Sequence, residues 1–504
     1  MLNLGHIVEA LTDYKATGAE LALTSVVMDS REAVPGSLFV AYAGERVDGH
    51  DYVADAFARG AIAALVERPI QGGYATIDLR NGTVPSGTLL PSTASSSATT
   101  PVCLVVDNTV TALQTSAKAW RARFPVQVIG VTGSVGKTST KELTHAVLSS
   151  RYRTFKSAGN RNSVLGLPLT LFDLRPHHEY AVLEMGMFTP GEIALLCQLT
   201  QPKIGVVTLI GSVHLERAGS MEAIVAAKRE LVEALPGDGV AVLNKDDERV
   251  MGMVPYTRAR VFTYGLDQRA DLWADNIRSM GLDGIRFSLH YGREALSLQV
   301  PLLGRHSVHT ALRAAAVGLI TNLSWEEIAA GLRQTTAQLR LVTAPGPKNS
   351  IIIDDTYNAS PESVLAALNL LSDLQGRRIA VLGDMLELGY MEEESHRLVG
   401  RRAADVADTL VAVGPRSRWI AEEALAMGMV ASRVATVEEA PAAIPILEEA
   451  IQDNDVILVK GSLGMRMDRI VAALSTPVLN KGPESAPSAS SGQALSRRRE
   501  KGTN

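Results

Sequence analysis

Lys137 and Thr138 stand near the end of the run Gly133-Ser134-Val135-Gly136-Lys137-Thr138-Ser139. A lysine and a hydroxyl placed directly after two glycines are the residues of a phosphate cradle. Glycines let backbone N–H groups close around phosphate oxygens, and a helix beginning there turns its positive end toward them. In that arrangement Gly133, Ser134, Val135, Gly136 and Ser139 line the cradle, Lys137 reaches the terminal phosphates and the Thr138 hydroxyl ligates Mg²⁺. The general pattern has glycine five residues before Gly136, where this chain has Val131. A nucleoside triphosphate is expected. The loop leaves its phosphoryl acceptor open among water, a protein switch, a sugar and a carboxylate.

Further candidates lie where apolar runs end. "YAVLEMG" (180–186) delivers Glu184, and "GSVHLERAGS" after the next run delivers His214. A buried carboxylate is costly unless it is paired or binds metal. Glu184 and His214 beside Thr138 would hold Mg²⁺ between the phosphates and a second substrate. Lys228, in "MEAIVAAKRELVEALP", falls on an amphipathic helix whose apolar side is marked by Ile224, Val225, Leu231 and Val232. Its spacing also allows a surface lysine paired with Glu222 or Glu233.

These residues need strands to carry them. Val126 to Val131 is a short apolar, β-branched run leading into the cradle, and a helical pattern continues to Leu148. Similar runs recur at 180–186, 203–211 and 239–247, then at 350–358, 378–385, 409–414 and 455–462, with helix-length segments between them. Near-continuous apolar strands alternating with helices predict an α/β fold with parallel sheets covered on both faces. Functional residues then gather at the strands' carboxyl ends. With 504 residues, the chain should form about three domains. The boundaries expected are 1–107 for a first α/β domain, 108–335 for a central P-loop domain with a parallel sheet, and 336–475 for a Rossmann-like domain. Residues 81–100, rich in Ser, Thr, Gly and Pro, read as an insertion loop. Residues 476–504 read as a disordered tail.

Composition narrows the function. The net charge is −5, with 46% hydrophobic and 20% charged residues, which fits a soluble globular protein and argues against a general nucleic-acid binder. The two cysteines, Cys103 and Cys197, sit in apolar runs. That is too few for a disulfide framework or a cysteine zinc cluster, and it suits a reducing cytoplasm. The first residues lack the pattern of a signal peptide, and no apolar run is long enough to span a membrane.

The segments "TGSVGKTST", "GNRNSVLGLP", "EMG", "HLERAGS", "AAKRELVEALP", "GRHSVHTALRAA", "DDTYNASPES" and "VKGSLGMRMD" resemble, in order and spacing, those of the Mur ligases. Among them the chain is most similar to the branch that extends a UDP-N-acetylmuramoyl-tripeptide with D-alanyl-D-alanine. The Asp-Asn-Pro-Arg signature of the diaminoacid-adding branch is not found. Another Mur-like ligase, diaminoacid-adding or folylpolyglutamate-type, and an inactive nucleotide-binding regulatory paralogue remain as alternatives.

The resemblance implies that the acceptor is a carboxylate. The peptide's terminal oxygen takes the γ-phosphoryl group of ATP, and the amine of D-alanyl-D-alanine then attacks the acyl phosphate. It further implies two Mg²⁺ ions, held by Thr138, Glu184 and His214, with Lys228 as a carbamylated ligand. Asn162 would face adenine, and Arg340 and Asp355 would contact ATP. Tyr357, Asn358, Ser360, Lys460 and Ser462 would form the wall for the incoming amine substrate. Ser30, Arg31, Asp48 and His50 would bind the UDP end in a UDP-sugar domain, and the protein would work as a monomer. The chain departs from the family at Ser307, Thr310 and Leu209, where asparagine is usual, at Leu339, where glycine is usual, and at Arg161.

Overall fold

The computed structural model describes residues 1–44, 47–84, 90, 100–334 and 342–475. Arg340, Leu339, most of the expected 81–100 loop and the 476–504 tail lie outside the described residues. Three sheets follow one another along the chain, as the alternation of strand and helix signals predicts.

The first sheet has five parallel strands in the order Val26–Val27, Leu38–Val40, Ala63–Val66, Val102–Val105, Ala75–Asp78. The helix Thr109–Ala122 follows it. That helix buries Leu113, Ala117 and Trp120 in a core shared between the first sheet and the helices Gly166–Leu171 and Glu192–Thr200.

The second sheet has nine strands. Its parallel part runs Arg260–Gly265, Val240–Asn244, Pro202–Val207, Gln127–Thr132, Tyr180–Glu184, Thr154–Lys156. The strands that carry the chemistry, Gln127–Thr132, Tyr180–Glu184 and Pro202–Val207, are neighbours in its centre. They are buried almost throughout, which is why they read as unbroken apolar runs.

The sheet is mixed, not wholly parallel. Leu272–Ser279, Ile285–Tyr291 and Glu294–Val300 extend it as an antiparallel ribbon. Ile285, Phe287 and Leu289 alternate buried with outward-facing residues, and Gly292, at φ 60°, makes the tight turn.

In the third sheet Ile351–Asp355, Val456–Lys460, Arg378–Gly383, Thr409–Val413 and Val434–Val437 pair in parallel, and Val342–Pro345 adds an antiparallel edge. Apolar side chains fill both of its faces. No helix among the described residues is long and apolar enough to cross a membrane.

Candidate active site

The cradle forms because one strand end is stapled to its neighbours. Thr132 Oγ1 donates to the Met185 carbonyl at 2.9 Å, and Thr208 Oγ1 donates to the Val135 carbonyl at 2.7 Å. Gly133 has φ 138°, and a Cβ there would lie 1.8 Å from Thr208 Oγ1. Only glycine allows this approach. The glycine of the general pattern is unnecessary at Val131, which is a fully buried strand residue here. Gly136, at φ 85°, opens the helix Lys137–Ser149. Lys137 Nζ donates to the carbonyls of Gly133 and Ser134 at 2.8 and 3.3 Å. Ser134 itself is tied to the next strand end, its N–H donating to Leu209 O and its hydroxyl to Gly211 O.

Glu184 ends its strand 1% exposed. Thr138 Oγ1 donates to Oε2 and Asn162 Nδ2 to Oε1, each at 2.8 Å. Two neutral donors thus meet the carboxylate, one on each oxygen. Asn162 was expected at adenine. In the structure its side chain meets Glu184, and its backbone carbonyl accepts from the Gly186 N–H at 2.8 Å. Buried Lys141 orders the same segment by donating to Ser157 O and Gly159 O at 2.8 and 2.9 Å.

His214 and Lys228 approach from the other side. Lys228, on the helix Met221–Glu233, is 2% exposed, so the surface pairing with Glu222 or Glu233 does not occur. Burial first, and then the charge of Lys137, push its amine well below the ordinary lysine range. Burial likewise lowers the His214 imidazole. The bond to Glu387 opposes this, while the charges of Lys137 and Lys228 add to it. Lys137, His214 and Lys228 thus share one electrostatic neighbourhood. His214 Nδ1 lies 2.6 Å from Glu387 Oε2. A carboxylate only accepts, so Nδ1 carries the proton and Nε2 is the nitrogen that would ligate.

The third domain closes the pocket. A cavity of about 610 Å³ is lined by Gly136, Thr138, Asn244, Thr310 and Arg313 on one side and by Asp355, Asn358, Ser360 and Lys460 on the other. Lys460 was expected to meet a substrate. It is 2% exposed and donates to Asp355 Oδ2 at 2.7 Å and Asn358 O at 2.8 Å, so it braces that wall. Ser360 caps the helix Pro361–Asp373 through Ser363. Ser462 Oγ accepts from the Leu386 N–H at 2.9 Å and so steadies the turn carrying Glu387. Tyr357 is half-buried beside exposed Asn358.

In the first domain Arg31 is exposed and donates to Asp29 through Nη2 at 2.6 Å. Ser30 is buried at the start of that turn. Asp48 bonds both His50 and Arg68. His50 is not open to a ligand: it is 4% exposed, its Nε2 accepts from the Glu67 N–H at 2.9 Å, and Nδ1 faces Asp48 at 2.6 Å. Burial and two bonds make it a turn-setting residue.

Three residues escaped the sequence reading: Glu387, Arg313 and Asn244. Glu387 follows the carboxyl end of Arg378–Gly383, so the strand-end rule that found Glu184 could have found it. Arg313 lies on a helix read for its missing asparagines, and only burial marks it out.

The donor set suits a hard divalent cation. Glu184 and Thr138 offer oxygens and His214 a nitrogen, and the described residues contain no group of three or more His, Cys, Asp or Glu that could hold a metal unaided. A Mg²⁺ ion held there would draw its remaining ligands from phosphate oxygens and water.

Comparison with known proteins agrees with this geometry. Residues 22–118 match the Mur ligase family catalytic domain, residues 131–318 the Mur ligase middle domain, and residues 340–463 the Mur ligase glutamate ligase domain. The chain is 35% identical over 461 residues to the UDP-N-acetylmuramoyl-tripeptide–D-alanyl-D-alanine ligase of Escherichia coli, covering 91% of this chain and 95% of that one. It is 32% identical over 460 residues to the protein of the same name from Synechocystis, covering 90% and 92%. A crystal structure of MurF from Acinetobacter baumannii superposes with a TM-score of 0.78 at 30% identity, covering 93% and 97%. A MurF ligase from Thermotoga maritima in complex with ADP gives 0.73 at 26%, covering 89% and 96%. With all three of its domains matched in order and relatives similar over most of its length, the chain belongs to the Mur ligase family.

Proposed function

We propose that this protein is an ATP-dependent amide ligase that joins D-alanyl-D-alanine to the terminal carboxylate of a UDP-N-acetylmuramoyl-tripeptide. The observation that carries the reading is the meeting of Thr138, Glu184 and Lys137 with half-buried His214 and buried Lys228 beside the cavity that the third domain closes. The family's relatives named for this reaction support it.

The tripeptide's carboxylate oxygen attacks the γ-phosphorus of ATP, the bond to the bridging oxygen breaks, and ADP leaves. The amine of D-alanyl-D-alanine then adds to the acyl carbon of the resulting acyl phosphate. The C–O bond breaks, inorganic phosphate departs and the amide remains, with the amine's proton lost to solvent. Two anions must approach in the first step, so positive charge has to be fixed in advance. Lys137 supplies it from the cradle.

Mg²⁺, held by Thr138, Glu184 and His214 together with phosphate oxygens, would neutralise charge that develops on the transferring group. Carbamylation needs a neutral amine, and burial together with the charge of Lys137 shifts Lys228 toward that form. A carbamate there would add an anionic ligand for a second ion. Asn162 keeps Glu184 oriented, and Glu387 fixes the His214 tautomer. Asp355, braced by Lys460, faces the nucleotide cavity, and Tyr357, Asn358 and Ser360 form the wall for the dipeptide. Arg31 and Asp48 offer the first domain's contacts for the UDP end.

The test is phosphate release with ATP, UDP-N-acetylmuramoyl-tripeptide and D-alanyl-D-alanine, with the product weighed by mass spectrometry. Release that requires both the tripeptide and the dipeptide, with a product of their joined mass, is expected. Absence of any dipeptide-dependent release would refute the assignment.

A further inference from the structure

Arg313 lies on the helix Val308–Ile320, one turn beyond Thr310, and lines the cavity. It is 4% exposed. Its Nη2 donates to Thr310 Oγ1 at 2.8 Å, and its guanidinium carbon sits 5.9 Å from the centre of the Tyr264 ring. Its Nε is buried with no hydrogen-bond partner among the described residues. The carboxylates on that sheet edge are engaged elsewhere. Asp246 accepts from His309 and from the N–H groups of Leu266 and Asp267, and Asp247 accepts from those of Ile210, Arg249 and Val250.

A guanidinium held away from water without a counter-anion is strongly unfavourable. Its surroundings indicate what anion it is built to meet. A Cβ placed on Gly136 would lie 3.2 Å from Nη2 and 3.5 Å from Nη1, so the donor fork abuts the phosphate loop at the residue before Lys137. Guanidinium offers donors only, in a planar fork that matches phosphate oxygens and cannot accept from an amino group such as that of adenine.

Resting on the nucleotide-binding reading above, we propose that Arg313 is a phosphate ligand of this pocket, donating to the phosphate chain of the bound nucleoside triphosphate. Its bond to Thr310, a position where asparagine was expected, makes this wall a reader of phosphate instead of base. Among the described residues no carboxylate bonds Arg313, and the nucleotide supplies that negative charge.

Calorimetry of the full-length protein with Mg²⁺ and three probes, ATP, inorganic tripolyphosphate and adenosine, tests this, alongside melting without nucleotide. Arg313→Met should melt no lower than the parent, since it removes an unmatched buried charge. It should lose about tenfold to a hundredfold in affinity for both ATP and tripolyphosphate, with adenosine unchanged. Arg313→Lys, which keeps the charge but not the fork, should lose less, and it carries the same test should the methionine variant not fold. Unchanged tripolyphosphate binding in the variants, or a loss shared by adenosine, would overturn the proposal while leaving the nucleotide reading intact. A parent protein that binds neither ATP nor tripolyphosphate would remove both.

Discussion

Glu184 holds its place through two neutral donors, the Thr138 hydroxyl and the Asn162 amide. That leaves its negative charge for whatever enters beside the cradle. Replacing it with glutamine keeps the shape but puts an amide where a charge is wanted and offers N–H groups to donors. Glu184→Gln should lower turnover by about a hundredfold to a thousandfold, as removal of a transition-state contact does, while the melting temperature changes little. Rate and melting measurements on the purified variant check both. Lys228 makes a second expectation at this scale. Burial lowers the cost of deprotonating this amine, which is the form that takes up carbon dioxide, so turnover should fall when bicarbonate is stripped from the buffer and recover when it is restored. Lys228→Ala should be inactive in either buffer. A parent enzyme indifferent to bicarbonate would argue against the carbamate.

Single elements show what the sequence discloses. Strands such as Tyr180–Glu184 and Val456–Lys460 are legible because both faces are buried, so every position is apolar and the ends are marked by Glu184 or Lys460. The cradle is legible because backbone geometry forces glycine at Gly133 and Gly136. The antiparallel ribbon from Leu272 to Val300 was not read, although its alternation and the Gly292 turn were present. The surroundings of Asn162 and His50 were not legible for another reason: partners 22 and 17 residues away along the chain, Glu184 and Glu67, decide where their side chains point. Local spacing carries no such information.

The N-terminal segment gives a test of an element's stability. Glu20 is buried, and it accepts from the N–H groups of Thr17 and Gly18, from the hydroxyls of Tyr14 and Thr17, and from Asn3 Nδ2. Burial opposes its charge, but these donors outweigh it and bring its pKa from 4.5 down to about 2. Its stabilisation is therefore complete above pH 4.5 and fades as pH falls toward 2. Glu20→Gln should cost about 1–3 kcal/mol near neutrality. Denaturant midpoints of the two proteins should converge as pH falls through that window.

Across the whole molecule, function depends on domains that meet at side chains. Glu387, at φ 65°, faces His214, at φ 67°. Both are non-glycine residues in the left-handed region, strain that persists only where surrounding contacts impose it. Arg217 adds a second bond to Glu387 at 3.1 Å, and Ser212 N–H points to Glu362 at 3.4 Å. The second and third domains are joined at the residue that would hold metal, so docking of the third domain and orientation of His214 are one event. Closure is expected about a hinge near residue 335, which lies outside the described residues. Small-angle scattering should show the radius of gyration falling when ATP and the UDP-tripeptide are added, and Glu387→Ala should weaken that compaction. No change in the parent protein would count against closure.

The proposed activity rests on the peptide's own carboxylate receiving the γ-phosphoryl group. Turnover of UDP-N-acetylmuramoyl-tripeptide labelled with ¹⁸O in both terminal carboxylate oxygens, with the released phosphate weighed by mass spectrometry, tests it most directly. One labelled oxygen should pass into each phosphate and the other remain in the new amide. Phosphate released without label, alongside product that had formed, would contradict it.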